Sequence, residues 1–207
     1  MSNIKLYRHP LSGHSHRVEL LLSILGLKFE MIDVDLMAGE HKHVEFLAKN
    51  IFGQVPALED GATTLADSNA ILVFLASKYD TTRRWLPVKP DELSVVQRFL
   101  SIAAGCVASG PAAARLVNVF SAGLDHEQAK TLSNELLLTL NGHLQHRLWL
   151  ATEQPTIADI ANYTYIAHAP EGGVSLEPYP HVKAWLRRIE CLPGFVGMQK
   201  TAVVLAA

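Results

Sequence analysis

The chain has 207 residues, 49% hydrophobic and 18% charged, long enough to bury a sizeable core without a metal or disulfide staple and too apolar for a disordered protein. Eighteen Lys and Arg stand against 20 Asp and Glu, and the resulting charge of -2 provides no electrostatic footprint for nucleic acid. The two cysteines, Cys106 and Cys191, form no CxxC pair and no zinc spacing, so we expect neither a disulfide nor a metal site, and a reducing, cytoplasmic setting. The opening MSNIKLYRHP lacks the basic and apolar regions of a secretory signal, and the least charged stretch, Ser101 to Ala114, is too short to cross a bilayer, so no membrane association is expected. Charged content below the roughly 25% usual in soluble domains suggests surface covered by a second copy of the chain.

From Ile4 to Arg8 the pattern is β-prone, and from Ser15 to Leu25 apolar Val18, Leu21, Leu22 and Leu25 recur at helical spacing before Gly26. Phe29 to Val34 is a second β-prone run, and a crossover this short makes the two strands parallel. A polar loop around Gly39 leads to a short helix near Val44 to Lys49. Val55 to Glu59 and Thr63 to Leu65 then flank Asp60-Gly61, a strong hairpin signal. Ser68 to Tyr79 closes the segment as a helix. Residues 81–90, with Trp85, Pro87 and Pro90, read as a linker between residues 1–80 and an all-helical region 91–207. Helices are expected over Asp91–Ser109, Ala112–Phe120, His126–Leu148, Ile157–His168 and Tyr179–Glu190.

A βαβ–ββα unit followed by an all-helical domain, with a proline before the third strand, resembles the glutathione transferase family. His9-Pro10-Leu11-Ser12 followed by Arg17-Val18 is similar to the first strand-to-helix turn of the serine-type phi and theta classes. Gly39-Glu40-His41-Lys42, Phe46-Leu47 and Phe52-Gly53-Gln54-Val55-Pro56 resemble the phi-class run into the proline turn. Asp67-Ser68 with Ala70-Ile71 matches the start of the family's third helix, and Thr156-Ile157-Ala158-Asp159 its capping box. The resemblance spans nearly the whole chain, and its specificity lies in the ordered set. It implies an α/β plus all-α fold, with a thioredoxin-like, glutathione-binding N-terminal domain and a helical, electrophile-binding C-terminal domain. It also implies a homodimer with no permanently bound cofactor, glutathione serving as co-substrate.

A strand-to-helix turn leaves the first helical N–H groups unpaired and places the positive end of the helix dipole beside the turn, where a thiolate is stabilised. Ser12, at that turn, can donate to the charged form of a bound thiol and lower its pKa, and it can equally be a plain helix cap. Ser15 is a second candidate with the same ambiguity, and His14 stands where related bacterial classes often carry Asn near the thiol. The resemblance implies that Asp67 and Ser68 take the γ-glutamyl end of glutathione and that Val55, before Pro56, pairs with its cysteinyl backbone. Gln54 is assigned to that backbone or to the γ-glutamyl carboxylate, and His41 and Lys42 to the glycine carboxylate. Each also has an ordinary reading as a cap, turn or solvated charge. A second-substrate pocket is expected between Leu11 and the small-residue stretch Ile102 to Ala114, with His14, Arg115 and Phe120 near it. His14-x-His16 and His41-x-His43 lack a completing carboxylate or cysteine, so no metal is expected. Two other readings use the same scaffold, a glutathione-dependent isomerase or peroxidase and a non-catalytic interaction module. A thioredoxin-type oxidoreductase lacks its cysteine at the first turn.

Overall fold

In a computed structural model that describes residues 4–202, the N-terminal part is a four-stranded mixed sheet in the order β2-β1-β3-β4. Strands β1 (Ile4–Arg8) and β2 (Phe29–Asp33) are parallel, as the short crossover requires, with Ile4 opposite Phe29. β3 (Ala57–Asp60) runs antiparallel to β1, Leu6 opposite Leu58, and pairs with β4 (Thr63–Ala66) across the Gly61-Ala62 turn. β3 starts two residues later than the hydrophobic run, because Pro56 has no N–H to give to the ladder; the Val55–Pro56 peptide is cis.

Helices α1 (Gly13–Ile24) and α3 (Ser68–Tyr79) cover one face of the sheet. Between β2 and β3 lie a 3₁₀ turn, Glu40–Lys42, and a single-turn helix α2 (Val44–Leu47), shorter than expected. α2 packs Phe46 on the other face with Val34 and Ala57, a small second core. α1 begins two residues earlier than its apolar periodicity suggests, because Gly13 and His14 fill the first turn without contributing to the apolar stripe.

The second part contains α4 (Pro90–Ala104), α5 (Ala113–Phe120), α6 (His126–His143), α7 (Ile157–Ala167) and α8 (Pro180–Glu190). α4 ends at Ala104, capped by Gly105 and five residues short of its expected end at Ser109, and a wide turn over Ala108–Ala112 containing Pro111 separates it from α5. Proline has no N–H to give, so the regular ladder is broken there. α6 gives way at Leu144 to a 3₁₀ turn, and His143 Nε2 bonds the Leu150 carbonyl. Residues 90–120 together are apolar and long enough to cross a membrane by length and composition. Their apolar side chains have a nearer use, since Val96, Phe99, Leu100 and Ala103 are buried and α4 packs on α7.

α7 is buried along almost its whole length and touches α1, α3, α4 and α8, which joins the two parts through one core. A helix enclosed all round must satisfy its first N–H groups internally. Thr156 Oγ1 accepts from Ala158 N at 3.2 Å, and Asp159 Oδ2 accepts from Thr156 N at 2.9 Å, the expected capping box.

Candidate functional site

A cavity of about 1000 Å³ lies where the turn after β1, the cis-proline loop and the start of α3 face α5. Of the residues singled out in the sequence, the structure brings twelve to its wall, Leu11, Ser12, His14, His41, Lys42, Gln54, Val55, Pro56, Asp67, Ser68, Arg115 and Phe120, and leaves out Ser15. The small-residue stretch does not line it. Gly110 instead meets Ser133 of α6, where an added Cβ would lie 3.1 Å from the Ser133 backbone nitrogen, so those residues serve close helix packing.

Ser12 is the N-cap of α1. Its N–H donates to His9 O at 2.9 Å, and its Oγ accepts from Ser15 N at 3.2 Å. The two readings of Ser12 are therefore compatible, because capping uses a lone pair and leaves the O–H to donate into the cavity. Ser15 does not cap and does not reach the cavity. It is fully buried at the third helical position, and its Oγ accepts from His9 N at 3.4 Å.

His14 stands edge-on to Tyr165, 5.0 Å between ring centroids, with Nδ1 2.9 Å from Arg17 Nη1 and 3.4 Å from Ser68 Oγ. Arginine can only donate, so Nδ1 is the accepting nitrogen and the ring proton sits on Nε2. Burial, and then the Arg17 cation, push His14 down to about 3, so its ring is neutral at pH 7. His16 turns away from the cavity, between Thr164 Oγ1 at 2.8 Å and Val196 O at 2.9 Å.

Arg17 is fully buried beneath this group. Burial lowers its pKa to about 10, yet it has no carboxylate in hydrogen-bond contact among the described residues. Its Nη1 reaches His14 and, at 3.3 Å, Ser68 Oγ, it stacks over Tyr165 at 5.4 Å, and Nε and Nη2 are unpaired. An arginine held this way puts positive potential under the first turns of α1 and α3. Gly13 permits the arrangement, since a Cβ there would lie 2.7 Å from the Tyr165 ring.

Asp67 caps α3, its Oδ1 accepting from Ala70 N at 2.9 Å, with φ at 70° in a region that costs a non-glycine residue roughly 1–3 kcal/mol. Asp67 and the buried Ser68 both line the cavity. Lys42 Nζ donates to the carbonyls of Phe52 (3.3 Å) and Gly53 (3.1 Å), tying the two loops of the opposite wall. Gly53, at φ +56°, is required there because a Cβ would meet His41 O at 2.6 Å. His41 has a buried Nδ1 without a partner among the described residues, and Gln54 is exposed, its carbonyl accepting from Asn50 Nδ2 at 2.7 Å.

On the α5 side, Arg115 is fully buried. Its Nε donates to Glu171 Oε2 at 2.6 Å and its Nη1 to the Leu11 carbonyl at 2.8 Å, one residue before Ser12. Glu171 also accepts from His168 Nδ1 and from Thr201. Burial alone would raise its pKa, but the donors of Thr201, His168 and Arg115 outweigh it and hold Glu171 at about 2. Sequence reasoning missed His9, Lys49, Asn50 and Tyr165 as cavity residues. Tyr165 reaches the site only through the packing of α7 on Gly13, for which the local sequence holds no signal.

Residues 2–77 match the family model described as glutathione S-transferase, N-terminal domain, and residues 114–193 the corresponding C-terminal domain. The chain is 34% identical to glutathione S-transferase 3 of Zea mays, over 99% of its own length and 96% of that protein. It is 30% identical to human glutathione S-transferase theta-2, covering 92% of this chain and 82% of that one. Among solved structures, a glutathione S-transferase from Pseudomonas fluorescens superposes with a TM-score of 0.88 at 32% identity, covering 95% of this chain and 99% of that one. Glutathione transferase E6 of Drosophila melanogaster superposes with a TM-score of 0.85 at 28% identity, covering 92% and 88%.

Proposed function

The chain belongs to the glutathione S-transferase family, and on that premise we propose that its cavity ionises bound glutathione and directs the thiolate at an electrophilic carbon. The observation that carries this reading is the Ser12 hydroxyl at the positive end of α1, which accepts from Ser15 N and donates to no group among the described residues, in one cavity with Ser68 and Lys42 on separate walls.

The γ-glutamyl carboxylate binds at Ser68 and the N-terminus of α3, above the buried Arg17, and the ammonium lies beside Asp67. The cysteinyl backbone runs along Val55 beside Gln54 as an added strand. The glycine carboxylate meets Lys42 and His41. These contacts place the sulfur at the turn after β1, where Ser12 Oγ–H and the end of α1 favour the charged form. The thiol proton leaves to solvent. His14, neutral at pH 7, is too weak a base to hold it. The thiolate then attacks a carbon held on the α5 side of the cavity, by Leu11 and Phe120, the attack made effectively unimolecular by positioning.

The intact set of Ser12, Lys42, Asp67 and Ser68 favours this over a docking scaffold, which needs none of them. We also place the protein in a reducing, cytoplasmic compartment as a homodimer serving detoxification. Exposed thiols at Cys106 and Cys191 suit the first, and Ile51 and Phe52, 80% and 72% exposed in a single chain, suit the second. Titration with glutathione, followed by turnover with aryl halides, isothiocyanates, hydroperoxides and disulfides, tests the reading. Saturable glutathione binding with conjugate formation is expected. Binding without any turnover favours the interaction module, and turnover confined to hydroperoxides the peroxidase.

A further inference from the structure

We propose that His9 is a catalytic residue of the electrophile half of the cavity, its Nε2–H donating to an oxygen on which negative charge develops and so favouring electrophiles that carry such an oxygen in conjugation with the attacked carbon. The inference rests on the transferase reading above and assigns a substrate feature to the same site.

His9 follows β1 directly, and its carbonyl receives the Ser12 N–H, so its ring and the Ser12 hydroxyl are anchored on one turn. The ring lies on the cavity wall, 5.9 Å from the ring of Phe120 and inclined at 63° to it. Leu11 N donates to His9 Nδ1 at 3.3 Å. A nitrogen that accepts from a backbone N–H carries no proton, so the tautomer assigned by this bond has its hydrogen on Nε2. Among the described residues Nε2 has no protein partner, and it is not among the buried polar atoms cut off from solvent. It is therefore a donor of fixed tautomer, accessible to solvent, on a residue that lines the cavity beside Phe120. Burial lowers the ring's pKa, the cations of Arg8 and Arg115 add to this, and Asp33 and Asp35 oppose it, leaving a neutral imidazole at pH 7. A neutral ring stabilises a developing oxyanion by hydrogen bonding and does not transfer its proton.

For an α,β-unsaturated ketone the step balances without a further reactant. The sulfur forms a bond to the β-carbon while the C=C pair moves to give an enolate, whose oxygen takes the Nε2–H hydrogen bond. Water then protonates the α-carbon, replacing the proton that left the thiol. The aryl or alkyl body of the ketone rests on Phe120 and Leu11.

The test compares trans-4-phenylbut-3-en-2-one with benzyl chloride, which carries no oxygen, in wild type, His9→Phe and His9→Gln. His9→Phe keeps a ring against Phe120 and removes the donor, whereas His9→Gln keeps an N–H. A hydrogen bond to a charged group corresponds to roughly a ten- to hundredfold effect, so the enone-to-chloride ratio of kcat/KM should fall by that factor in His9→Phe and by clearly less in His9→Gln. The thiolate titration of bound glutathione should stay in place. An unchanged ratio in His9→Phe, or equal losses in both variants, overturns the role of His9. Conjugation of benzyl chloride but not of the enone by wild type also overturns the role of His9, whereas no turnover with these two compounds or with any electrophile of the panel above overturns the transferase reading itself.

Discussion

Replacing Asp159 with alanine should cost this protein a large part of its stability. Its carboxylate accepts from Leu150 N, Thr156 N and Trp185 Nε1, each at 2.9 Å, and sits wholly inside the core with Trp185 equally enclosed. Truncation orphans three buried donors at about 1–3 kcal/mol each and removes the reciprocal half of a cap worth about 0.5–2 kcal/mol. These losses overlap, because relaxation or an entering water can serve more than one donor, and about 3–5 kcal/mol is the net expectation. Against a typical total of about 5–15 kcal/mol, and with a urea dependence of about 2 kcal/mol per molar, the midpoint should fall by roughly 2 M. Urea unfolding at one fixed protein concentration, followed by tryptophan fluorescence and far-UV circular dichroism, measures it. A loss under 1 kcal/mol with an unchanged slope would refute the structural assignment, and intact stability with lost turnover would make Asp159 functional.

Burial holds His16 down to about 4, against about 6.5 in the unfolded chain, so the unfolded state takes up the proton first as pH falls. The stability contributed by its neutral form is complete above pH 6.5 and is lost toward pH 4, by at most about 3 kcal/mol. His16→Gln should flatten the melting curve against pH over that window, and parallel curves would contradict it. Ser68→Ala and Lys42→Ala should weaken glutathione binding several-fold while leaving saturated turnover nearly intact, since they face the ends of the tripeptide and not its sulfur. Isothermal titration beside steady-state kinetics separates the two, and collapsed turnover with intact affinity would reverse the assignment. Sedimentation at micromolar concentration should give a dimer that Phe52→Ser shifts toward monomer. A monomeric wild type would remove the proposed homodimer.

The order of elements was legible because the β-prone runs, the Asp60-Gly61 turn signal and the helical periodicity of 126–143 are local properties of the chain. So was the capping box, whose side chains and backbone partners lie within four residues. Element ends were less so. α6 stops at His143 because its Nε2 engages Leu150 O, and the 105–112 segment unwinds where glycine and proline interrupt a run of good helix formers. Most of the twelve candidates could be placed at one cavity because they sit at a turn or helix start, where the chain must expose its backbone groups; Arg115 and Phe120, inside and at the end of α5, reach it through helix packing. The supports of the site were not legible. Arg17 reads as a helix-face charge until α7 encloses it, Tyr165 enters from about 150 residues away, and Glu171 gathers Arg115, His168 and Thr201 only in three dimensions. Ser15 shows the converse, a residue type suited to capping that is displaced when the helix begins two residues earlier.

The central claim is that Ser12 donates a hydrogen bond to a thiolate, and the titration of thiolate absorbance in the enzyme–glutathione complex against pH tests it directly. One charge-assisted hydrogen bond is worth about 1.5–3 kcal/mol, so Ser12→Ala should raise the midpoint by roughly one to two pH units. Turnover at neutral pH should fall about ten- to a hundredfold and recover in part as the pH is raised. A midpoint that stays where it is in Ser12→Ala would show that Ser12 only caps α1, and the proposed mechanism would lose its thiolate donor.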